Sequence, residues 1–533
     1  MAEPKENKLN TKAAGIVGIA VMCSRVLGLV REQIFAWLFG GGKEMDAFTI
    51  AFRTPNMLRD LFAEGALSTA FITTFSKKIV NEGDASAWKL ACKVGTLVVV
   101  VLSVIVLIGI GIAPLLVKVM APGFANVPGK AELTVQLARI MYPFILLVSL
   151  GALTMGMLNA KNVFGVPAMA SSFFNIGSIV GGVAVGWWID PHFGTPALVG
   201  LACGTLIGGA LQLGVQVPAL RRVGFHFRPD FAWRDEGVRT ILRQMGPAVI
   251  AASSVQINVF INTWFASWLE DGTAYRLNIA FRLMQLPLGI FGVALGTVTL
   301  PALSRAAAQG RSDEFRNLLA KGLRLALLLT VPATVGLILL ARPIVSLLYE
   351  HGKFSAHAAD QAAIGLGGYA IGLCAYSCLK ILAPAFYAID RRKTPMYVSF
   401  VAVFLNVALN YLFAFHLKLG IRGLALATGC VATANFLLLY FLMRRATGPL
   451  GTRQMLGTLL KVGIAGAVLA GVCLAAQHWL LAGWAHFGLW LRIASLLGTI
   501  AVAGLAFFGT AFSLRIEELD DLAALVRRKL GRR

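Results

Sequence analysis

Apolar runs of about 20 residues or more recur from one end of this sequence to the other, and a helix of that length crosses the hydrocarbon core of a bilayer. Inside that core every backbone N–H and C=O group must be paired within its own segment, which favours helices. Only 14% of the 533 residues are charged, whereas about a quarter are charged in soluble domains. The sequence therefore predicts an all-α integral membrane protein and excludes a soluble globular fold.

Polar breaks between the apolar runs indicate about fourteen transmembrane helices. The predicted spans are 14–40, 45–75, 90–120, 133–158, 165–189, 196–220, 240–268, 275–304, 318–349, 360–389, 395–417, 421–443, 457–481 and 487–514. Alternate connections differ in basic content: one set includes Arg391, Arg392 and Lys393, and the other includes the acidic pair 270–271. By the positive-inside rule the basic set is cytoplasmic, so both termini are predicted to be cytoplasmic. The net charge of +23 then reflects orientation in the membrane, and nucleic-acid binding is not expected.

Short motifs recur at a constant spacing, which indicates an internal duplication. The matching pairs are Arg53 with Arg282, Gly123 with Gly352, and Pro167 with Pro395, at offsets of 229, 229 and 228 residues. We therefore predict two six-helix lobes of the same orientation, 1–224 and 235–447. Two additional helices (455–515) and a basic cytoplasmic tail (516–533) follow them. Parallel repeats of this kind commonly enclose a substrate site at their interface.

Several charged side chains lie inside the predicted spans, where each cation facing lipid at mid-depth would cost about 2.5–3.5 kcal/mol. The cations are Arg25, Arg31, Arg53, Arg59, Arg282 and Lys380. The acids that could pair with them are Glu32, Asp46, Asp60 and Glu64. Two interpretations stay open: interhelical ion pairs, or an anion site built on Arg25, Arg53 and Arg282. The planar guanidinium fork suits phosphate oxygens, so the second interpretation predicts a phosphate-containing substrate.

No Ser/His/Asp set, nucleotide-binding loop or metal motif is visible in the sequence, and the seven cysteines lie inside apolar runs. An enzyme is therefore not expected. The arginines also argue against a purely structural membrane scaffold, because such a protein would have no use for cations at mid-membrane depth.

A set of short motifs resembles the amino-acid signature of the MurJ (MviN) lipid II flippase family, within the MOP transporter superfamily. These motifs are Ser24–Gly28, Asp46–Phe48, Pro55-Asn56, Phe62–Ala66, Ala121–Phe124, Gln244–Ala248, Arg282–Met284, Gly292–Thr297, Gly352–Phe354, Leu382–Pro384 and Phe386-Tyr387. The resemblance covers the first twelve predicted spans, whereas the last two match by hydropathy.

The resemblance implies a monomeric inner-membrane transporter with fourteen helices and two V-shaped lobes. By alternating access it would deliver lipid II, the undecaprenyl-diphosphate-linked disaccharide pentapeptide, to the periplasmic leaflet, with cell-wall synthesis proteins as further partners. The substrate-binding positions that it implies are Arg25, Arg31, Arg282, Asp46, Arg53, Asn56, Arg59 and Glu64. The last two helices would form a hydrophobic groove for the lipid tail.

Two points remain open under this resemblance. The alternative function is that of another MOP-superfamily carrier, either of a different undecaprenyl-linked glycan or of cationic drugs, although a cation carrier should present acids rather than arginines. Some family members bind sodium with carboxylates, whereas the candidate positions here carry neutral side chains. These positions are Asn262, Asn406, Asn410 and Thr428. We therefore expect no cofactor, and coupling to an ion gradient or to the membrane potential stays open.

Overall fold

The computed structural model describes residues 11–60 and 67–519, and every regular element in those ranges is helical. The α-helices are α1 (Thr11–Phe39), α2 (Lys43–Arg59), α3 (Ser68–Glu82), α4 (Asp84–Met120), α5 (Lys130–Met141), α6 (Phe144–Ala160), α7 (Gly165–Ile189), α8 (Leu198–Gly214), α9 (Val217–Arg222), α10 (Glu236–Ala266), α11 (Thr273–Pro287), α12 (Ala294–Ala308), α13 (Ser312–Leu339), α14 (Ala341–Tyr349), α15 (Ala356–Ala370), α16 (Leu373–Ala388), α17 (Lys393–Asn410), α18 (Gly420–Thr447), α19 (Thr452–Trp479) and α20 (Leu489–Ser513). Two π-helical turns, Leu288–Val293 and Tyr411–His416, continue α11 and α17.

Ten helical stretches in the described part of the chain are long and apolar enough to cross a bilayer. An eleventh is formed by α15 and α16 together, which meet at a bend of 45°. The arginine-bearing helices α1 and α2 and the long helix α10 are not among them, and α2 is only 17 residues long. The prediction of an all-α integral membrane protein is thus confirmed.

The chain divides into two compact units, Met1–Trp268 and Leu269–Arg533. In the N-terminal unit, α2 packs against α5, α4 against α6, and α7 against α8. In the C-terminal unit, α11 packs against α15, α13 against α16, and α17 against α18. Helices that occupy corresponding places in the chain therefore pack in corresponding pairs. α10 packs against α3 and α4 and so belongs to the N-terminal unit. The boundary between the two units therefore falls one helix later than the predicted boundary between the repeats, at residue 235.

The segment that precedes α10 is held against the N-terminal part of α4. The Phe225 ring is buried and its centroid lies 5.3 Å from that of Trp88. The backbone N–H of Asp230 donates to the Thr96 hydroxyl over 3.0 Å. The Asp235 carboxylate accepts from the backbone N–H of Gly237, which caps α10, and it forms an ion pair of 2.8 Å with Lys93. We call residues 223–235 the strap.

The last two helices belong to the C-terminal unit, where α19 packs against α13 and α20. Their shared apolar core includes Leu328, Val462, Leu469 and Phe507. Glu518, which follows α20, is buried and forms an ion pair with Arg324 of α13. The chain is therefore anchored on α13 at the point where the basic tail begins.

Candidate substrate-binding site

Arg25 lies in the first helix and is exposed. The preceding residue is fixed, because the Asn175 side-chain amide on α7 donates to the Ser24 carbonyl over 3.1 Å. The Arg25 guanidinium forms no hydrogen bond or ion pair with any residue that the structure describes. All five of its N–H donors are therefore available to an anion.

Arg31, two turns further along α1, is in a different environment. It is buried and forms an ion pair of 3.0 Å with its neighbour Glu32, which is also buried. Its guanidinium carbon lies 5.2 Å from the ring centroid of Phe174 on α7, a distance that suits a cation–π contact. The charge of Arg31 is thus balanced within the N-terminal unit, and Glu32 is engaged by Arg31.

The second helix places two arginines toward α10. Arg53 is half-buried and donates to the Thr263 hydroxyl. Arg59 pairs with Asp60 at 2.8 Å, and the same carboxylate accepts from Gln256 over 3.3 Å. Both arginines are partly satisfied by α10 or by a neighbour, so they are less available to an anion than Arg25.

Asn56 lies between these two arginines on α2. Its side-chain oxygen is buried and has no hydrogen-bond partner in the described ranges. A buried acceptor without a donor costs about 1–3 kcal/mol, and such groups in native proteins commonly wait for a ligand or a water. Glu64, the other polar position predicted on this span, lies outside the described residues.

Asp46 is buried at the start of α2 and forms an ion pair of 2.9 Å with Lys130 of α5. The side chains of the two residues are 1% and 2% exposed, respectively. The Lys130 ammonium also lies 3.9 Å from the ring centroid of Phe124, which ends the Ala-Pro-Gly-Phe motif. This motif forms a 3₁₀ turn, Pro122–Asn126, that places the Phe124 ring against the lysine. Asp46, one of the predicted substrate-binding positions, therefore joins two helices of one unit.

Arg282 belongs to the C-terminal unit, on α11, and is half-buried. Its neighbours Leu283 and Met284 are buried, so this helix turns an apolar face inward. Helix α11 ends at Pro287 and continues in the π-helical turn 288–293. π-helical turns are frequent at functional sites. Lys380, the remaining predicted intramembrane cation, is exposed.

The N-terminal unit thus contains seven of the eight predicted substrate-binding positions, of which six are described. Sequence reasoning missed two partners, Lys130 and Thr263. Lys130 lies between the predicted spans 90–120 and 133–158, in a connection where a solvated side chain is expected. A signal was present, since Lys130 follows the Ala-Pro-Gly-Phe motif by six residues and precedes an apolar run. No comparable signal singles out Thr263.

The four sodium candidates supply neutral groups. Asn262 is half-buried on α10 of the N-terminal unit. In the C-terminal unit, the Asn410 amide donates to the Asn406 oxygen over 3.0 Å, and Thr428 donates to the Leu424 carbonyl over 3.0 Å. One amide oxygen is thus already engaged, and no carboxylate stands among them. These residues do not fit a carboxylate-based sodium site.

The helical fold matches that of solved transporters of the MOP superfamily. A multidrug resistance MATE family transporter in an inward-facing conformation superimposes with a TM-score of 0.68 at 15% identity. The match covers 82% of this chain and 99% of that one, and at this identity it concerns the fold alone. This shared fold, with ten helical stretches long and apolar enough to cross a bilayer in the described part of the chain, defines the class of multi-pass helical membrane proteins.

Sequence relationships narrow the class to one family. The family model described as lipid II flippase MurJ matches residues 35–495. The lipid II flippase MurJ of Burkholderia cenocepacia is 37% identical over 428 residues, which are 80% of this chain and 82% of that protein. A solved structure of lipid II flippase MurJ in an inward closed conformation has a TM-score of 0.74 at 25% identity, and it covers 92% of this chain and 98% of that one. The chain belongs to the lipid II flippase MurJ family, a family of transporters rather than enzymes.

Proposed function

We propose that this chain is a lipid II flippase of the bacterial inner membrane. It moves the undecaprenyl-diphosphate-linked peptidoglycan precursor from the cytoplasmic to the periplasmic leaflet by alternating access. The observation that carries the proposal, beside the family match over residues 35–495, is that the Arg25 guanidinium has no partner among the described residues although it lies in the middle of α1, which we propose to span the membrane. A cation in that position is costly unless an anion is brought to it.

The arginines divide by role in this proposal. Arg25 is the proposed phosphate-binding position of the N-terminal unit and Arg282 that of the C-terminal unit, because the guanidinium fork engages two phosphate oxygens at once. Arg53 and Arg59 add positive charge along α2, and Asn56 offers a polar contact to the sugar or the peptide. Arg31, already paired with Glu32, keeps the first helix in place.

Fourteen spans complete the proposed topology. The ten apolar stretches and the bent pair α15–α16 give eleven, and α1, α2 with α3, and α10 give the other three. An even number of spans places both termini on one side, and the basic loops make that side cytoplasmic. Cysteines at Ser312 and Thr195 test this orientation. The first should be shielded from an impermeant thiol reagent in intact spheroplasts, and the second should react; the reverse pattern would overturn it.

The membrane potential supplies the driving force in this proposal, since moving one charge through 100 mV is worth about 2.3 kcal/mol. Helices α19 and α20 would receive the lipid tail along their exposed apolar faces. Lipid II transport into the outer leaflet should slow when an ionophore collapses the potential at constant sodium concentration. Transport that continues at the same rate would rule this energy source out.

The main test concerns the arginines. Replacing Arg25 or Arg282 with Ala should abolish complementation of a strain depleted of its own flippase, and lipid II should accumulate in the cytoplasmic leaflet. Lysine at either position should restore function in part, because it keeps the charge but loses the fork. Arg422→Ala is the matched control, since Arg422 is an exposed arginine at the start of α18.

Binding by the purified protein separates substrate contact from folding. Arg25→Ala protein that inserts and purifies like the wild type should lose lipid II binding, while the control keeps it. Undiminished binding would remove Arg25 from the site. Binding of cationic drugs in place of lipid II would favour the alternative MOP-type carrier.

A further inference from the structure

A groove lies between α4 and α5, at the end where the turn 121–129 connects the two helices. Its volume is about 740 Å³, and its lining is mostly apolar. Three ionisable side chains interrupt this lining: Lys118, Glu132 and Arg139. None of the roles proposed above uses this groove.

Arg139 compensates for a proline. Pro114 lies inside α4 and has no N–H, so the carbonyl of Ile110, four residues earlier, loses its helical hydrogen bond. The Nε–H of Arg139 donates to that carbonyl over 3.2 Å. This bond uses one of the five guanidinium donors.

The other four donors have no partner among the residues that the structure describes. Arg139 lies nine residues into the span that begins at Lys130, which is about 14 Å along the helix axis. Side chains on a helix lean toward its N-terminus, so the guanidinium reaches back toward the membrane surface. At that depth unpaired N–H donors require a polar partner.

The groove opens toward lipid. Leu115 and Val119 flank Lys118 on α4, and they are 58% and 50% exposed. Lys118 and Glu132 are exposed and form no ion pair with any described residue. The site therefore presents two cations and one acid beside the acyl-chain region of the bilayer.

We propose that this groove binds one phospholipid with a phosphoethanolamine headgroup, its phosphate on Arg139 and Lys118 and its ammonium on Glu132. The charge pattern selects this zwitterion, because an anionic headgroup would leave Glu132 opposed by negative charge. Glu132 lies seven residues, about 10 Å, closer to the membrane surface than Arg139. Arg139 and Glu132 thus follow the order of the headgroup, in which the amine is outside the phosphate. Lys118 lies two residues before the end of α4, at about the depth of Glu132, and would reach the phosphate with its long side chain. On the topology proposed above, the lipid belongs to the periplasmic leaflet.

Native mass spectrometry of the full-length protein tests the site. The purified protein is mixed with equal amounts of phosphatidylethanolamine, phosphatidylglycerol and phosphatidylcholine of identical acyl chains. Wild type should retain phosphatidylethanolamine preferentially. Arg139→Leu should reduce the occupancy of phosphatidylethanolamine about tenfold, because the loss of a charge-assisted hydrogen bond weakens binding by about that factor. Glu132→Gln should shift the preference to phosphatidylglycerol, and Arg422→Leu should leave it unchanged.

A second variant separates lipid binding from the capping of Ile110. Pro114→Ala restores the helical N–H, so Pro114→Ala with Arg139→Leu should recover thermal stability that Arg139→Leu loses, without recovering lipid occupancy. Recovery of both would show that Arg139 is structural, and it would overturn the proposal. An unchanged lipid preference in Glu132→Gln would overturn it as well. The readout involves no lipid II, so it stands independently of the transport proposal.

Discussion

The junction of α2 with α5 and that of α11 with α15 occupy corresponding places in the two units, yet their charges are arranged differently. The first holds Asp46 and Lys130, both almost fully buried. The second holds Arg276, which is buried, paired at 3.1 Å with Glu270, whose side chain is 53% exposed. His357 contacts the same carboxylate at 2.9 Å.

The difference shows how one helix pair can be fastened in two ways. A buried ion pair contributes little net free energy, but the loss of one partner leaves an unpaired charge and is severe. In the second junction the carboxylate of Glu270 is half-exposed, so water screens the pair and its loss costs less. The α2–α5 junction is therefore specified by its charges, whereas the α11–α15 junction depends on packing around Tyr275 and Leu277, which are buried.

Removing one buried charge should have the largest effect. We expect Asp46→Leu or Lys130→Met to lower the free energy of unfolding by about 3–5 kcal/mol, because the remaining buried charge loses its ion-pair partner. The double variant should return close to wild type. Denaturant unfolding in detergent measures each variant. A double variant as unstable as either single variant would show that the α2–α5 junction is not specified by this ion pair.

The same double variant tests whether Asp46 serves the helix junction or the substrate. If it is stable and supports growth, Asp46 serves the junction rather than the substrate. A stable double variant that fails complementation would instead keep Asp46 in the substrate-binding set. Purified double variant should bind lipid II in the first case and not in the second.

An intermediate effect is expected at the two glycines that share a place in the repeats. A Cβ on Gly123 would overlap the Ser267 carbonyl, so Gly123→Ala should cost about 1–3 kcal/mol. Gly352 has φ of 58°, so Gly352→Ala should cost about 1–2 kcal/mol through backbone strain. Asparagine, which tolerates this conformation, should be accepted at Gly352 and rejected at Gly123. Equal tolerance at both positions, measured by unfolding, would contradict this assignment.

The smallest effect on stability is expected from Glu270 as the pH is lowered. Burial alone would raise the pKa of Glu270, but hydrogen bonds from His357 and Arg276 outweigh it and hold the pKa below its usual 4.5. A lowered pKa stabilises the fold above pH 4.5, and this contribution is lost as the pH falls below 4.5 through the folded-state pKa. Because Glu270 is half-exposed, Glu270→Gln should cost less than about 1 kcal/mol at pH 7. Melting temperatures of wild type and variant should converge at low pH; a constant gap would refute the pairing.

Much of the helical architecture follows from apolar runs, because a segment that must satisfy its own backbone in lipid has few alternatives. The start of α7 at Gly165 and its end at Ile189 agree with the predicted span 165–189. Span 360–389 differs, since it bends at Ile371 between α15 and α16. Hydropathy averages over about 19 residues and does not register such a break.

The partners of the charges were harder to predict. Lys130 is 84 residues from Asp46 in the sequence, and it lies in the connection between the predicted spans 90–120 and 133–158. Glu32 pairs with the adjacent Arg31 rather than remaining open to Arg25, a choice that depends on rotamers and on Phe174 of a distant helix. Residue spacing identifies which charges share a helix, whereas packing decides which of them meet.

The strap has a consequence for the order in which the chain is made. Its contacts on α4, from Trp88, Lys93 and Thr96, are synthesised more than 120 residues before the strap leaves the ribosome. The receiving surface is thus already in the membrane when residues 223–235 emerge. We expect the strap to dock before the second half of the protein is translated, so that α10 starts its insertion from a fixed point.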